Sequence, residues 1–384
     1  MKNFLSTLLV PIFLLACKSD PSASEKVEGI DLSIDTVMID TGEDIINLRF
    51  GIYFSGLSKD GKYLYNSGGT SPYLERINLE TLEFEEKMDF ETDGPNAFGA
   101  YVYGVSADVN NNLILTSWDG TSIFTRDKQK LKMYQLTGRE FDGDRLEGRE
   151  QFISKIIPSG DYKTVYGLTE NYETSDIFFA ILDEESASLQ KIKLGGFEKA
   201  SEFSVRHSMG GGATISPQNT EIARLGDKLV ITNPVFSRIA VYDLVDENLK
   251  YYDCRPSLTA SEKVGKYVGE VDSREAFESE VAKIKEEVTF LPLMYDEDND
   301  RYLRLSLIGQ STINEAGLEE ITDYQVFVSI LNGAFEVIRE EEIGDEVGKL
   351  FSAGTQKPFV KDGKIWLYLN VNDELAFVRL GLAG

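Results

Sequence analysis

One pattern recurs six times along this chain of 384 residues: a turn sequence rich in Gly, Asn and Asp, followed at once by a run of β-forming residues. The six turns lie at residues 59–62, 110–112, 159–161, 226–228, 298–300 and 362–364. Such turns between β-rich runs are strong hairpin signals. A second hairpin sequence follows each of the first five turns, so that each unit offers four strands. Four-stranded antiparallel units repeated along a chain predict a β-propeller with one blade per unit.

The sixth unit lacks a fourth strand, because the sequence ends shortly after the β-rich run 375–380. Near the other end, residues 32–40 alternate apolar and polar side chains, which is typical of a half-buried strand. Pairing this strand with the last unit would complete the blade and remove exposed sheet edges. The sequence therefore predicts an all-β, six-bladed propeller over residues 30–384, closed by an N-terminal strand. The alternative is seven blades, with a degenerate blade within residues 254–295.

Residues 272–288 have the periodicity of a helix rather than of a strand. Asp272 and Glu275 stand at the spacing of a capping box, and one helical stripe carries the apolar residues Phe277, Val281, Ile284 and Val288. We expect a short helix there, inserted between the fourth and fifth blades.

The first 16 residues have the pattern of a signal peptide. They start with a lysine and continue with an apolar run that is too short to cross a bilayer. The residues Leu14-Leu15-Ala16-Cys17 then match a bacterial lipobox, in which the cysteine is acylated. We therefore predict a lipoprotein signal peptide in residues 1–16, a lipidated Cys17 that begins a tether over residues 17–29, and a membrane anchor made of lipid alone. The alternative is an ordinary signal peptide with an incidental cysteine.

Composition excludes several classes of protein. The chain has 39 basic and 65 acidic residues, so its formal charge of −26 argues against nucleic-acid binding and against unaided binding to anionic lipid. It has only one histidine and two cysteines, and it contains none of the common hydrolase, zinc-protease, P-loop or dinucleotide motifs. We predict no cofactor and no metal site, the sequence leaves any catalytic residue unknown, and we interpret Cys254 as a structural thiol. The acidic run 296–300 indicates a solvated turn, although a calcium ion held in the channel by several blades stays open.

The loops on one face of the predicted ring are longer than those on the other. These are the loops between the second and third strands and between blades, and long loops on a rigid scaffold usually carry function. The candidate ligand-binding residues in them are Trp118, Arg206, His207, Asn233, Asn370 and Asn372. Trp118 could stack on a sugar or a peptide, or pack between blades. His207, the only histidine, could serve as an acid, a base or a hydrogen-bond donor, or bond a neighbouring carbonyl. The two C-terminal asparagines could line the channel or cap strand ends.

The lipobox, the six units and the stretches 290–296 and 301–304 together carry a family resemblance. The chain resembles a family of uncharacterised Bacteroidota lipoproteins, a domain of unknown function with a TolB-like six-bladed propeller. The resemblance implies a lipid-anchored protein of the cell envelope, at the outer membrane, and it implies no catalytic residues.

Two functions follow as hypotheses. The first is an envelope lipoprotein whose loop face binds a peptide, a glycan or a protein partner. The second is a propeller hydrolase or lyase with a site in the channel, assisted by a metal or not. The lack of a recognisable catalytic motif favours the first hypothesis and leaves enzymatic activity open.

Overall fold

The structure, a computed structural model, describes residues 31–69, 73–98, 101–315, 317–353 and 356–383. The predicted signal peptide (1–16), Cys17 and the tether (17–29) lie outside these residues. The described part contains 29 strands, two α-helices and one 3-10 helix, and the predicted all-β propeller fold is confirmed. Among the described residues, no helix is both long and apolar enough to span a bilayer.

Six antiparallel sheets follow one another along the chain, and we refer to each sheet as a blade. The first to fourth strands of a blade are counted from the axis of the ring outward, whereas β numbers follow the chain. Blade 6 includes the N-terminal strand β1 (Asp31–Met38). Blade 1 consists of β2 (Gly56–Leu57), β3 (Tyr63–Asn66), β4 (Tyr73–Asn78) and β5 (Glu83–Asp89). Blade 2 consists of β6 (Gly104–Ala107), β7 (Leu113–Ser117), β8 (Gly120–Phe124) and β9 (Lys130–Tyr134). Blade 3 consists of β11 (Glu150–Pro158), β12 (Thr164–Asn171), β13 (Ile177–Asp183) and β14 (Ser188–Lys193), with β10 (Asp142–Gly143) parallel to β14 at its outer edge.

A small three-stranded sheet lies in the chain next to blade 4. It consists of β15 (Val205–Met209), β16 (Gly212–Ser216) and β21 (Glu270–Val271). Blade 4 consists of β17 (Glu221–Leu225), β18 (Lys228–Asn233), β19 (Phe236–Asp243) and β20 (Asn248–Tyr252). In blade 5, β22 (Thr289–Phe290) and β23 (Met294–Asp296) both pair with β24 (Arg301–Ile313), followed by β25 (Glu319–Leu331) and β26 (Val337–Ile343). Blade 6 consists of β27 (Phe359–Lys361), β28 (Lys364–Val371) and β29 (Glu374–Ala383), with β1 outermost.

Each pair of neighbouring blades shares a cluster of buried apolar side chains, and together the six clusters close the ring. Blades 6 and 1 meet where Trp366 and Phe377 pack with Leu64 and Ile77. The predicted closure by the N-terminal strand is confirmed, because β1 pairs antiparallel with β29 over its eight residues. The described residues of 254–295 form no four-stranded sheet of their own.

All six turns of the sequence repeat join the first strand of a blade to the second, and their side chains lock them. In blade 1, Ser58 Oγ donates to Asp60 Oδ1 at 2.5 Å and accepts from the Tyr63 N–H at 2.9 Å. Blade 3 repeats this arrangement, since Ser159 Oγ donates to Asp161 Oδ1 at 2.6 Å and accepts from a backbone N–H at 3.0 Å. A serine two positions before an aspartate thus builds the same turn twice.

The same turns also bond to one another across blades. Asn111 of blade 2 accepts from the Lys59 N–H of blade 1 at 3.0 Å. Asn110 Nδ2 donates to the Gly160 carbonyl of blade 3 at 2.8 Å, and Tyr162 of blade 3 donates to Asp108 at 2.6 Å. These bonds join the turns of the first three blades into one network, so half of this face of the ring is cross-linked.

The predicted helix is present as α1 (Arg274–Lys285). Its N-cap is Ser273, whose side chain accepts from the Ala276 N–H at 3.1 Å, one residue later than the capping box placed it. The side chains of Phe277 and Val281 pack on the cluster shared by blades 3 and 4. Beyond the C-terminal end of α1, the buried Lys263 ammonium donates to two carbonyls and to Thr289 Oγ1 at 2.8–3.1 Å. A second helix, α2 (Asp345–Ser352), and a 3-10 helix over Phe197–Phe203 were not predicted from the sequence.

The acidic run 296–300 is not solvated along its whole length, although we expected a solvated turn there. Asp296 is fully buried. Its carboxylate accepts from Arg301 Nε at 2.8 Å and from Asn299 Nδ2 at 2.9 Å, and these bonds offset the cost of burying the charge. The same guanidinium donates to the Leu382 carbonyl of blade 6 at 3.1 Å, so this pair ties blade 5 to blade 6.

Closure of the ring predicts a difference between two isoleucines in the same segment. Ile39 is 3% exposed in the cluster between blades 6 and 1, whereas Ile45 is 87% exposed. We expect Ile39→Ala to lower the free energy of unfolding by about 3 kcal/mol, because it leaves a cavity. We expect Ile45→Ala to change it by less than about 0.5 kcal/mol. Urea unfolding followed by far-UV circular dichroism measures both, and equal effects would contradict the proposed role of this seam.

Candidate functional site

The loop face has the long connectors between blades that the sequence predicted, but most of its loops between second and third strands are short. Second and third strands are joined by only two residues in blades 2, 4 and 6. The predicted loop 309–323 of blade 5 is mostly strand, since β24 continues to Ile313 and β25 starts at Glu319. Gly, Asn and Ser stand there because they form tight turns, not because the loops are long. The long segments of this face are the connectors between blades, at residues 39–55, 90–103, 135–149, 194–220, 253–288 and 344–358.

Trp118 lies at the tip of the two-residue turn between β7 and β8, and its side chain is 82% exposed. Its ring centroid is 5.4 Å from that of Tyr103, and the Tyr103 hydroxyl donates to the Ser117 carbonyl at 2.8 Å. Gly120 ends the turn with a φ of +135°, and a Cβ at that position would lie 2.2 Å from the Tyr134 carbonyl oxygen. The turn is therefore held from two sides, and it presents an indole to solvent rather than packing it between blades.

A second group of aromatic side chains lies in the connector that enters blade 1. Phe54 contacts both Phe50 and Tyr53 edge to face, with ring centroids 5.2 Å apart in each pair. Gly69 packs against Phe50 and Phe54, and two residues earlier Ser67 Oγ donates to the Val102 carbonyl at 2.9 Å. The turn at residues 66–69 thus bridges the two connectors. We define the aromatic patch as the five exposed rings of this region: Phe50, Tyr53, Tyr101, Tyr103 and Trp118.

Arg206 and His207 lie in strand β15, not in the loop that the sequence predicted. His207 is half-buried, stands opposite Thr214 in the β15–β16 hairpin, and has Val271 of β21 on its other side. Arg206 Nε donates to Ser208 Oγ at 3.2 Å. This hairpin packs against α1, which also contacts β24 and β25 of blade 5, whereas Trp118 belongs to blade 2.

The three asparagines act within turns. Asn233 is 1% exposed; its Nδ2 donates to Thr220 Oγ1 at 2.9 Å, and its Oδ1 accepts from the Val235 N–H at 2.8 Å. Asn370 Oδ1 accepts from the Asp373 N–H at 2.9 Å. Asn372 and Asp373 have φ values of +54° and +68°, which is the pattern of a type I′ turn. These amides are used to shape hairpins, and we leave them out of the candidate site.

Three charged side chains on or next to the innermost strands were missed by sequence reasoning. Lys155 lies in β11, Glu221 begins β17, and Lys357 precedes β27; all three are exposed. Even so, burial lowers the pKa of Lys155 and raises the pKa of Glu221. A side chain that projects into a channel enclosed by protein can touch water and still have its charged form destabilised by the surrounding protein, which shifts its pKa. We call Lys155, Glu221 and Lys357 the channel triad.

The pKa of Lys357 is also lowered. Burial lowers it to about 8; the charge of Lys155 acts in the same direction and that of Glu221 opposes it. The Lys357 ammonium donates to the Ser55 carbonyl at the entrance of blade 1. Within the described residues, the side chains of Lys155 and Glu221 have neither a hydrogen bond nor an ion pair closer than 4 Å.

No three His, Cys, Asp or Glu side chains among the described residues come together in a geometry that could hold a metal ion. The buried thiol of Cys254 has its pKa raised by burial to about 11, so it is unreactive near neutral pH. The metal-assisted form of the channel hypothesis thus has no candidate ligand cluster in this part of the chain.

A family model described as a domain of unknown function, DUF4221, matches residues 29–342. The chain belongs to the DUF4221 family. The crystal structure of a DUF4221 member from Bacteroides vulgatus is similar to it, with 14% identity, a TM-score of 0.63, and coverage of 94% of this chain and 100% of that chain. At this identity the likeness shows the fold alone.

Two further likenesses to solved structures are weaker. One is to the β-propeller domain of Cps50 (Swd1) from Myceliophteria thermophila, with 9% identity, a TM-score of 0.40 and coverage of 85% of this chain and 83% of that one. The other is to a Bacteroides fragilis protein that is named as exported, with 9% identity, a TM-score of 0.49 and coverage of 92% and 96%. Among curated proteins, none matches this DUF4221 chain.

The pKa of Lys357 predicts unusual amine reactivity. With a pKa of about 8, about half of this lysine is the neutral, nucleophilic amine at pH 8, against well under about 1% for an ordinary lysine. We expect its rate of acetylation by an activated acetate ester to level off above about pH 8. The matched control is Lys62, whose pKa is raised by its hydrogen bond to Glu80 and whose rate should keep rising with pH. Peptide mass spectrometry over pH 7–9.5 measures both rates, and parallel profiles would contradict the assignment.

Proposed function

We propose that this DUF4221 protein is a lipid-anchored protein of the cell envelope that binds a neutral glycan on its aromatic patch. The observation that carries the proposal is the exposure of Trp118, which is 82% accessible on a turn held in place by its neighbours. A large exposed apolar ring costs solubility, so a rigid turn that presents one indicates a binding surface. A planar indole face fits the C–H face of a sugar ring, and the adjoining Asp119 carboxylate can accept bonds from sugar hydroxyls.

Charge supports a neutral ligand. The formal charge of −26 repels polyanions such as acidic polysaccharides. The aromatic patch includes rings from two connectors and one hairpin turn, all on the loop face, opposite the face that cross-blade hydrogen bonds fix. This arrangement leaves the patch open to a ligand that approaches from solution.

The lipid anchor in this proposal rests on the sequence. The lipobox cysteine directly follows an apolar run that is too short to cross a bilayer. A tether of 13 residues, 17–29, would separate the acyl chains from the ring. The loop face would then be free to meet polymers of the envelope.

The channel triad offers groups for the hydrolase or lyase alternative, since a lysine of pKa about 8 can serve as a base. It has no histidine, and the hydrogen bonds of Asn233 are to Thr220 and Val235 rather than to the triad. We therefore keep glycan binding as the proposal.

Binding can be followed at one side chain. The chain has two tryptophans, and Trp366 is only 1% exposed, so acrylamide quenching reports on Trp118. We expect a neutral oligosaccharide from a panel of cellohexaose, maltohexaose, chitohexaose and mannohexaose to protect Trp118 from quenching. Trp118→Ala should weaken binding by at least about tenfold, measured by calorimetry, because the stacking face is lost.

The control for that experiment is Leu131→Ala, which removes another exposed apolar side chain from the outer strand β9 and should leave affinity unchanged. Trp118→Tyr keeps an aromatic face and should retain part of the affinity. Protection by envelope-derived peptides and by none of the oligosaccharides would overturn the glycan assignment.

Lipidation has its own test. We expect the full-length chain, expressed in a bacterial host with labelled palmitate, to incorporate label and to partition with the membrane fraction. Cys17→Ser should abolish both, whereas Cys254→Ser should abolish neither, because that thiol is buried. Labelling of the Cys17→Ser chain, or an unlabelled wild type, would contradict the anchor.

A further inference from the structure

A cleft on the loop face, on the side of blade 4, belongs to none of the features above. Its volume is about 390 Å³, within the range of about 300–1,000 Å³ typical of small-molecule sites. Three segments form it: the start of the connector that leaves blade 3, the first residues of β19, and the connector that follows β20. Its lining includes Phe197, Lys199, Arg238, Asp253, Arg255 and Glu262.

The cations of this cleft are not fully paired. Arg238 and Arg255 share one carboxylate, Asp253, at 3.7 Å and 3.8 Å. Charge-assisted hydrogen bonds between such groups are usually about 2.7–2.9 Å long. Neither guanidinium donates a hydrogen bond to any described residue. By contrast, Lys199 and Glu262 form a close pair at 2.9 Å, so the cleft as a whole carries one positive charge in excess.

The walls of the cleft are held in place. The Arg238 guanidinium stacks on the Tyr251 ring at 4.5 Å, and Phe197 and Phe236 meet edge to face at 5.0 Å. Two backbone bonds of 2.8 Å fix the connector to β19 and the residue before it: Ser237 N–H to the Ser261 carbonyl, and Lys263 N–H to the Val235 carbonyl. A site with one fixed guanidinium and an apolar base is organised before a ligand arrives.

We propose that this cleft binds a small organic monocarboxylate, with its carboxylate between Arg238 and Arg255 and its apolar body along the cleft floor, beneath which Phe197 and Phe236 are buried. Planar guanidinium groups bind carboxylates in a bidentate manner. One excess positive charge matches a monoanion, and Asp253 disfavours the second charge of a phosphate monoester. The site is separate from the aromatic patch, so the proposal stands independently of glycan binding.

The test uses 4-phenylbutyrate as the probe, with 4-phenylbutyramide and inorganic phosphate as comparisons. Binding is followed by ligand-observed NMR titration of residues 17–384. We expect the carboxylate to bind in the high micromolar to millimolar range and the amide not to bind. Arg238→Gln and Arg255→Gln should each weaken binding by about tenfold. Arg224→Gln is the matched control, because Arg224 has a similarly loose pair with an aspartate, at 3.9 Å, at the opposite end of the blade.

One further variant separates a real site from a damaged fold. Asp253→Asn removes the competing carboxylate and should strengthen binding of 4-phenylbutyrate several-fold, a gain that misfolding cannot produce. Trp118→Ala should leave this affinity unchanged. No binding of the carboxylate at 10 mM, equal binding by the amide, tighter binding of inorganic phosphate, or weaker binding by Asp253→Asn would each overturn the proposal.

Discussion

Strand β1 pairs with β29 from Asp31 opposite Ala383 to Met38 opposite Ala376, and the rest of the ring depends on this pairing. It places the two ends of the described chain in one sheet, which leaves the ring no open seam between blades 6 and 1. Asp35 strengthens it, because its carboxylate accepts from Arg379 at 2.5 Å and from Lys364 at 2.9 Å, and these bonds lower its pKa to about 2. A contact between residues so far apart in sequence raises the contact order of the fold, which is typical of slowly folding β proteins.

Closure also explains why the two faces of the ring have different properties. On one face, short turns bond to the turns of neighbouring blades, as Tyr162 of blade 3 does to Asp108 of blade 2. On the other, the chain must travel from the outer edge of one blade to the inner edge of the next, and the connectors are long enough to carry a hairpin, two α-helices, an aromatic patch and a cleft. Connectors can vary without altering the sheets, which is why a ring of this kind supports different binding sites on one scaffold.

Local sequence predicted the features that depend on local chemistry. The six turns, strand β1 and helix α1 are all encoded within a few residues, and all are present, although β1 is less buried than its alternation predicted, since Ile34 and Met38 are exposed. The failures have a common physical cause. Residues such as Asn372 occur both in tight turns and in long loops, so composition alone does not distinguish the two. The length of the loops between second and third strands was therefore overestimated. The grouping of Lys155 of blade 3 with Glu221 of blade 4, and the bond from Lys357 to the Ser55 carbonyl at blade 1, depend on which blades become neighbours, and no short segment records that.

The cleft and the channel share one property, which is that each contains cations without a close carboxylate. Acidic residues outnumber basic ones by 65 to 39, and many cations in the described part of the chain have a close carboxylate, such as Lys191 with Glu150 at 2.7 Å. Lys155 and the two cleft arginines have none within usual hydrogen-bond distance. Surface charge is screened over about 8–10 Å at moderate ionic strength, and it repels a long polyanion along its whole length. A small monoanion meets less of that repulsion before it reaches Arg238 and Arg255, so the proposed cleft site would favour a small anion over a polyanion.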